Sequence, residues 1–434
     1  MYRLERVMRK SFAVFFICCS APTWAALNVP ITIQEALYSS GPAGVARTNE
    51  PFCLGVPIAD SAGITSTGVL ALTGASAGQF RITERWPSGN AKWIKVCGIL
   101  SSLSARGTAS VTLTDGGSGN FGGASIAGGG APITVATGTM TATIKAAGQF
   151  NLLDTVTVGN TPVLTTSTSP TRGMVLTGPN PTANYPGNVT CSPQSGGSAC
   201  ATVYSSANDP NSSCTIEENG PVMAVIRCVG THYDSASHPY MQYTVRETFW
   251  QNRNSVEVTS ILRNANYDTS ATPSTDLNGA FNTAYKGLAS YEARLGLNIG
   301  GTVNYTLATN SSPQTGTLSV SGGTDTAWIY TGQTNYFNYG DCSSGSSCMN
   351  TLTTDSGWTA KKNSTTLASD TTGSTAPAEW TNIADGSGAG TQIGRWFFGG
   401  YEPTSLEFAS GGNEARIEIY SAKNSQNVYQ SWPA

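Results

Sequence analysis

From Leu27 onward the chain is written in short runs of alternating or β-branched residues, cut every few positions by Gly, Asn, Asp or Ser. Successive side chains on a strand point to opposite faces, whereas an amphipathic helix repeats its apolar residues at a spacing near 3.6. Ala109–Thr114, Thr141–Lys145, Val222–Val229, Tyr243–Trp250, Ser255–Leu262 and Ala415–Tyr420 all fit the strand period. In the last of these, Ile417 and Ile419 take one face and Arg416, Glu418 and Tyr420 the other. Only Thr32–Tyr38 hints at a short helix. The expected fold class is all-β.

Sparse charge narrows the function. Of 434 residues only 11% are Asp, Glu, Lys or Arg, and the formal net charge is −3; an average globular domain carries roughly 25% charged residues. Basic-stripe nucleic-acid binders, polyelectrolyte tails and coiled coils all need denser charge, so no nucleic-acid partner is expected. Apolar residues make up 39% of the chain, enough for a sizeable core, while 49 Gly and 21 Pro with abundant Ser and Thr supply neutral polarity. That profile belongs to an exported, strand-rich protein.

The amino terminus agrees. Arg3, Arg6, Arg9 and Lys10 form a positive start, Ser11–Cys19 is an apolar run, and Thr23-Trp24-Ala25 places small residues at −3 and −1 of a cleavage site. Residues 1–25 read as a signal peptide, and the apolar run is too short to span a bilayer. No later stretch approaches 18 apolar residues, so no membrane span is expected after cleavage, and the destination is a periplasm or beyond. Eight cysteines then remain: Cys53, Cys97, Cys191, Cys200, Cys214, Cys228, Cys342 and Cys348. An even number in an exported chain argues for disulfides, and proximity suggests Cys53 with Cys97, Cys191 with Cys200, Cys214 with Cys228 and Cys342 with Cys348. No Cys-x-x-Cys and no clustered His accompany them, so no metal site is expected. The sequence specifies no cofactor.

The clearest boundary is 116–130, with eight glycines among Ser, Ala and Asn. It reads as a linker between a first unit, 27–115, and a large β-sandwich, 131–434. Thr177–Ser213 and Asn363–Gln392 read as long surface loops on the second unit.

Two familiar patterns lack their structural context. Gly117-Ser118-Gly119-Asn120-Phe121-Gly122 matches a dinucleotide fingerprint, but no helix follows it, and that motif works only where a strand turns into a helix. Gly74-Ala75-Ser76-Ala77-Gly78 matches a nucleophile elbow with the same deficiency. His232 and His238 fall between two strands; they are candidate general bases, with an exposed hairpin loop as the plainer expectation. Glu217 and Glu218 form a carboxylate pair, but neighbours on a strand face opposite ways unless a bulge intervenes. No catalytic residue is assigned.

The most distinctive stretch runs from Arg85 to Val96. Pro87-Ser88-Gly89-Asn90 is a turn between two short strands, which sets Trp86 and Trp93 on opposite arms of a hairpin with Arg85, Lys92 and Lys95 beside them. These five residues are the candidate substrate-binding set, with aromatics to stack on a sugar ring and cations to pair with a uronate carboxylate. The same residues also suit core aromatics with cation–π neighbours.

Here the chain begins to resemble a family. Arg47-Thr-Asn-Glu50-Pro51-Phe-Cys-Leu-Gly55-Val56-Pro57-Ile58, then Arg85-Trp86-Pro87-Ser88-Gly89 and Lys92-Trp93, resemble the small amino-terminal barrel of the exo-rhamnogalacturonan lyase-like proteins. In that family a Glu-Pro followed by Gly-Val-Pro opens the domain, and an Arg-Trp-Pro-Asp-Gly turn leads to Lys-Trp. Ser88 replaces the acidic turn residue, a mild change because Ser also forms turns. Glu217-Glu218-Asn219-Gly220-Pro221-Val222 with Ala224–Arg227, Tyr243–Arg246 and Phe249 is similar to the family's large β-sandwich, and Trp396-Phe397, Tyr401-Glu402-Pro403 and Leu406-Glu407 to a later strand pair.

The resemblance implies a small β-barrel at 27–115, a large β-sandwich after it, and a carbohydrate-active protein related to lyases of uronate-containing glycans, with a polysaccharide or oligosaccharide partner. It also implies that the family's catalytic cleft lies largely on a helical toroid, and no helical repeat precedes Ser431-Trp-Pro-Ala434. The expectation is a fragment of a longer lyase-like protein, or a shortened relative that keeps the β modules only. In β-elimination a base takes the C5 proton while cations stabilise the carboxylate. Only Arg85, Lys92, Lys95, Arg246 and the two histidines offer such groups, and a non-catalytic glycan-binding or envelope protein is the alternative.

Overall fold

The computed structural model describes residues 26–35, 44–166, 172–178, 180–181, 202–263, 286–309, 312–332, 336–339, 349–352, 357–370, 379–395, 404–421, 423 and 430–432. The proposed signal peptide, Cys191, Cys200, Cys342 and Cys348 lie outside them.

The molecule is all-β, and every strand pairing among the described residues is antiparallel. The expected strands appear as Thr108–Thr114, Met140–Ile144, Met223–Tyr233, Pro239–Trp250, Val256–Arg263 and Glu414–Tyr420. The helix suggested at Thr32–Tyr38 does not form where it is described: Asn28–Gln34 is a strand. Alternating Ile31 and Ile33 bury one face of it, which decides in favour of the period of two.

The first unit consists of two three-stranded sheets. One joins Asn28–Gln34, Thr108–Thr114 and Ala71–Thr73; the other joins Arg47–Pro57, Ala91–Leu103 and Ala77–Arg85. They face each other across Ile31, Ile33, Leu72, Leu113, Val56, Phe80, Ile94 and Val96. No ladder links the two among the described residues, so the packing is two layers rather than a clear closed barrel.

The glycine-rich stretch follows. Phe121 exchanges two 3.0 Å backbone bonds with Gly78, and its ring occupies the space that a Cβ on Gly78 would need. Ile126 and Ala127 then enter the second core.

That core lies under one long sheet of twelve described strands, running from Val256–Arg263 at one edge to Thr365–Asp370 at the other. A meander from Ala127–Gly128 to Thr161–Leu164 covers part of its apolar face. A four-stranded sheet of Gln314–Ser319, Thr302–Leu307, Trp380–Ala384 and Gly390–Gly394 covers another part, and one continuous cluster including Phe150, Tyr243, Phe249, Val303, Ile383, Leu406 and Phe408 fills the space between. This is a β-sandwich.

Asn363–Gln392, expected as a loop, instead carries Thr365–Asp370, Trp380–Ala384 and most of Gly390–Gly394. Thr365–Asp370 is largely exposed on both faces, so it shows no apolar alternation to read.

Candidate functional site

The hairpin expected around Pro87–Asn90 joins Ala77–Arg85 to Ala91–Leu103, and its two faces part the candidate residues. Adjacent residues on a strand point opposite ways. Lys92 falls on one side and Trp93 on the other, with Lys95 on the side of Trp93.

On the Lys92 side, the ammonium stands 5.2 Å from the Trp86 ring centroid and 2.7 Å from Glu84 Oε1. The Trp86 indole N–H donates to the Ile58 carbonyl at 2.9 Å. Arg85 ties down its own turn through the Gly89 carbonyl (2.7 Å) and reaches the Thr65 carbonyl (3.0 Å). Trp86, Lys92 and Arg85 therefore fasten the hairpin end.

On the outer side, Trp93 remains 39% exposed, a high value for so large an apolar side chain. Its six-membered ring lies over Gly55 of the neighbouring Arg47–Pro57 strand, about where a Cβ would make contact at 3.5 Å. A glycine inside a strand commonly marks such a close approach. Trp93 and Trp86 thus do not form one clamp.

Beside Trp93 the same face carries charge. Lys95 pairs Arg81 across the ladder, and both reach Glu218, at 2.8 Å from Lys95 Nζ and 3.4 Å from Arg81 Nη1. Glu218 belongs to Ser213–Asn219 of the long sheet, and the register of that strand slips between Ile216 and Glu218. The sequence does not announce this bulge, which frees Glu217 and Glu218 from strict alternation. Glu217 binds Arg246 through two contacts of 2.5 and 3.0 Å. The Arg246 guanidinium holds Glu217 below the usual carboxylate range, with Arg227 and Arg81 adding to the pull.

Below this charged end the two units meet through apolar contact. Ala77, Cys97 and Ile99 pack against Val222, Met223 and Val225, with Cys53 and Trp250 at the margin. Gln79, 3% exposed, accepts the backbone N–H groups of Val222 (3.1 Å) and Met223 (3.0 Å). Cys53 and Cys97 face each other in register and form a disulfide, as do Cys214 and Cys228. Two of the four pairings suggested by proximity are therefore present; the other two lie outside the described residues.

His232 departs from the expected exposed loop. It belongs to Met223–Tyr233, is fully buried, and packs edge-on against Tyr243 (5.0 Å) and Tyr291 (5.8 Å). Burial depresses its pKa to about 4, so the ring is neutral at pH 7. The turn signals at Gly230 and Asp234 disguise a strand that continues to Tyr233. His238 is partly exposed and pairs with Asp234 at 2.8 Å. It lies in the connection, as expected.

The motif matches gain no context. The Ser76 hydroxyl donates to the Ile99 carbonyl at 3.1 Å, and a strand follows it. Only the two-residue strand Ala127–Gly128 follows Gly117–Gly122. Among the described residues no group of three His, Cys, Asp or Glu is arranged to hold a metal ion, and no helix is long and apolar enough to cross a membrane.

The sequence reading placed Trp93 and Lys95 in the candidate set; it did not single out Gly55, Arg81 or Gln79 for the site, and it set Glu218 aside. The one available signal was Gly55 inside the apolar second half of Arg47–Pro57.

No family model matches the chain, and no curated protein matches it. Among solved structures it is similar to a protein in the glycosyl hydrolase family 38 from Enterococcus faecalis, at 10% identity and a TM-score of 0.40, over 92% of this chain and 41% of that one. The chain thus spans less than half the length of that structure.

Proposed function

We propose that this chain is an exported, carbohydrate-active β protein that binds glycan on the outer face of the Arg47–Pro57, Ala91–Leu103 and Ala77–Arg85 sheet. One observation carries the reading: Trp93 stays exposed beside Gly55, on the face that also carries Lys95, Arg81 and Glu218. An exposed indole can take the C–H face of a sugar ring, and polar groups near it meet the hydroxyls. The two disulfides suit an oxidising compartment.

The relation to lyases of uronate-containing glycans rests on the sequence resemblance, and the geometry of this face favours binding over β-elimination. Lys95 and Arg81 are engaged by Glu218, Arg246 by Glu217 and Lys92 by Glu84. Each of these cations is turned to a carboxylate of the protein, which offsets the positive charge that a β-elimination transition state would draw on. A polyuronate panel followed by ultraviolet absorbance should show no unsaturated product formed by this chain. A steady rise in absorbance would return the lyase reading.

Binding has its own test. In affinity electrophoresis against a panel of soluble plant and bacterial polysaccharides, Trp93→Ala should weaken retention roughly tenfold, equivalent to about 1.4 kcal/mol. Its thermal unfolding should match the parent, because the indole is already half in water. Unchanged retention on every glycan that the parent binds would remove Trp93 from the reading.

Glu218→Gln is the companion variant. Neutralising the partner of Lys95 and Arg81 leaves two adjacent cations on the rim. Affinity for acidic glycans should then rise severalfold and fall again with added salt. Salt-independent binding in this variant would count against the arrangement.

A further inference from the structure

At the opposite end of the junction, a groove of about 570 Å³ opens between the start of Arg47–Pro57 and the turn after Trp250. That volume falls within the ~300–1,000 Å³ of small-ligand sites. Arg47, Thr48, Glu50, Trp250, Arg253 and Ser255 line it.

Its centre is a carboxylate that holds two guanidiniums. Glu50 accepts from Arg47 Nη1 at 2.8 Å on one oxygen and from Arg253 Nη2 at 2.5 Å on the other. Asn49, at a left-handed φ of 50° that Asn tolerates, offers its carbonyl to the same Arg253 nitrogen at 3.2 Å. Each oxygen of Glu50 thereby holds one guanidinium. Arg253 keeps Nε and Nη1 without a partner among the described residues, and Arg47 keeps Nη2. Arg47 Nε approaches Glu35 at 3.5 Å, but Glu35 is buried and held by the N–H groups of Val45 and Arg106.

The groove therefore offers guanidinium donors that Glu50 leaves free, with Arg47 and Arg253 both turned to Glu50 and the buried Glu35 behind Arg47. Trp250, half buried at the margin of the apolar junction, adds an aromatic wall. Planar guanidiniums suit a planar or tetrahedral oxyanion, and an indole suits the ring that bears it.

We propose that this groove binds an acidic sugar residue, its carboxylate or sulfate held by Arg47 and Arg253 and its ring lying on Trp250. The proposal builds on the glycan-binding reading and assigns the charged unit of that glycan to a second place.

Calorimetric titration of the full chain tests it with four probes: a uronic-acid tetrasaccharide, the same tetrasaccharide methyl-esterified, a sulfated tetrasaccharide, and inorganic sulfate. The acid should bind at least tenfold more tightly than its ester. A sulfated probe that binds more tightly still would identify sulfate as the group recognised.

Arg47→Gln leaves the Glu50–Arg253 pair in place, so it should cost about tenfold in affinity for the acidic probe with no change in melting temperature. Ser255→Trp, which fills the groove from the stretch just before Val256–Arg263, should do the same. Trp93→Ala should preserve the ratio of acid to ester, which separates this site from the outer face. Equal binding of acid and ester, parental affinity in both groove variants, or inorganic sulfate displacing the tetrasaccharide at equal concentration would overturn the proposal.

Discussion

At pH 8, Glu247→Gln should raise the free energy of unfolding by roughly 4 kcal/mol, from a pKa difference of more than three units at about 1.36 kcal/mol each. Glu247 lies on Pro239–Trp250 with its side chain in the core, fully buried, and neither carboxylate oxygen has a hydrogen-bond partner among the described residues. Burial alone pushes its pKa up to about 8. The unfolded chain releases that proton near 4.5. Between these values the folded state binds more protons than the unfolded state, so stability falls as pH rises.

His232, on the adjacent strand, works the other way. Its folded pKa of about 4 lies below the ordinary 6.5, so the unfolded state takes up the proton first and stability falls as pH drops. From pH 4.5 to 6.5 the two slopes oppose each other, which predicts a plateau there and a decline on either side. Denaturant midpoints from pH 4 to 9 check this. Glu247→Gln should remove the alkaline decline and turn the plateau into a rise with pH up to about 6.5; a variant that declines like the parent would place the proton elsewhere.

Removal of the Cys53–Cys97 bridge should cost a comparable amount. The bonded residues are 44 apart in sequence, and the chain-entropy relation for a loop of that length gives about 4 kcal/mol. Cys53→Ala with Cys97→Ala also withdraws two sulfurs that lie 3.5 and 3.6 Å from Met223 Sδ, loosening the apolar junction. Urea unfolding monitored by tryptophan fluorescence should show the loss. A double variant within 1 kcal/mol of the parent, a threshold of about one ordinary mutation, would mean that the paired strands hold this region without the bond.

Much of the architecture was legible because most strands bury one face. Val111 and Leu113, buried between exposed or half-exposed neighbours, display that period of two. Where a strand is exposed on both faces, as in Thr365–Asp370, the pattern vanishes and the segment reads as a loop. His232 was hidden for the opposite reason, since turn-forming neighbours surround a residue that the sheet buries completely. The candidate site was half visible. Trp93 and Lys95 stand in one hairpin, but Glu218, which orients Lys95 and Arg81, comes from a distant strand and depends on a bulge. Local sequence does not encode a partner that far away. Parity does separate Trp93 from Lys92, and following it strictly would have divided the five hairpin residues between two faces.

The order of the long sheet bears on how the protein reaches its native state. Ser290–Gly296 sits between Gly173–Gly178 and Glu414–Tyr420, with Leu176 beside Tyr291 and Glu292 beside Glu418. The middle of the ladder thus stays open until its most carboxy-terminal strand arrives, and such high contact order slows folding. The two amino-terminal sheets are complete within residues 28–114 and need not wait. A partly made chain would therefore present finished amino-terminal sheets above an unfinished sheet with bare edges, and those edges are where misassembly would begin.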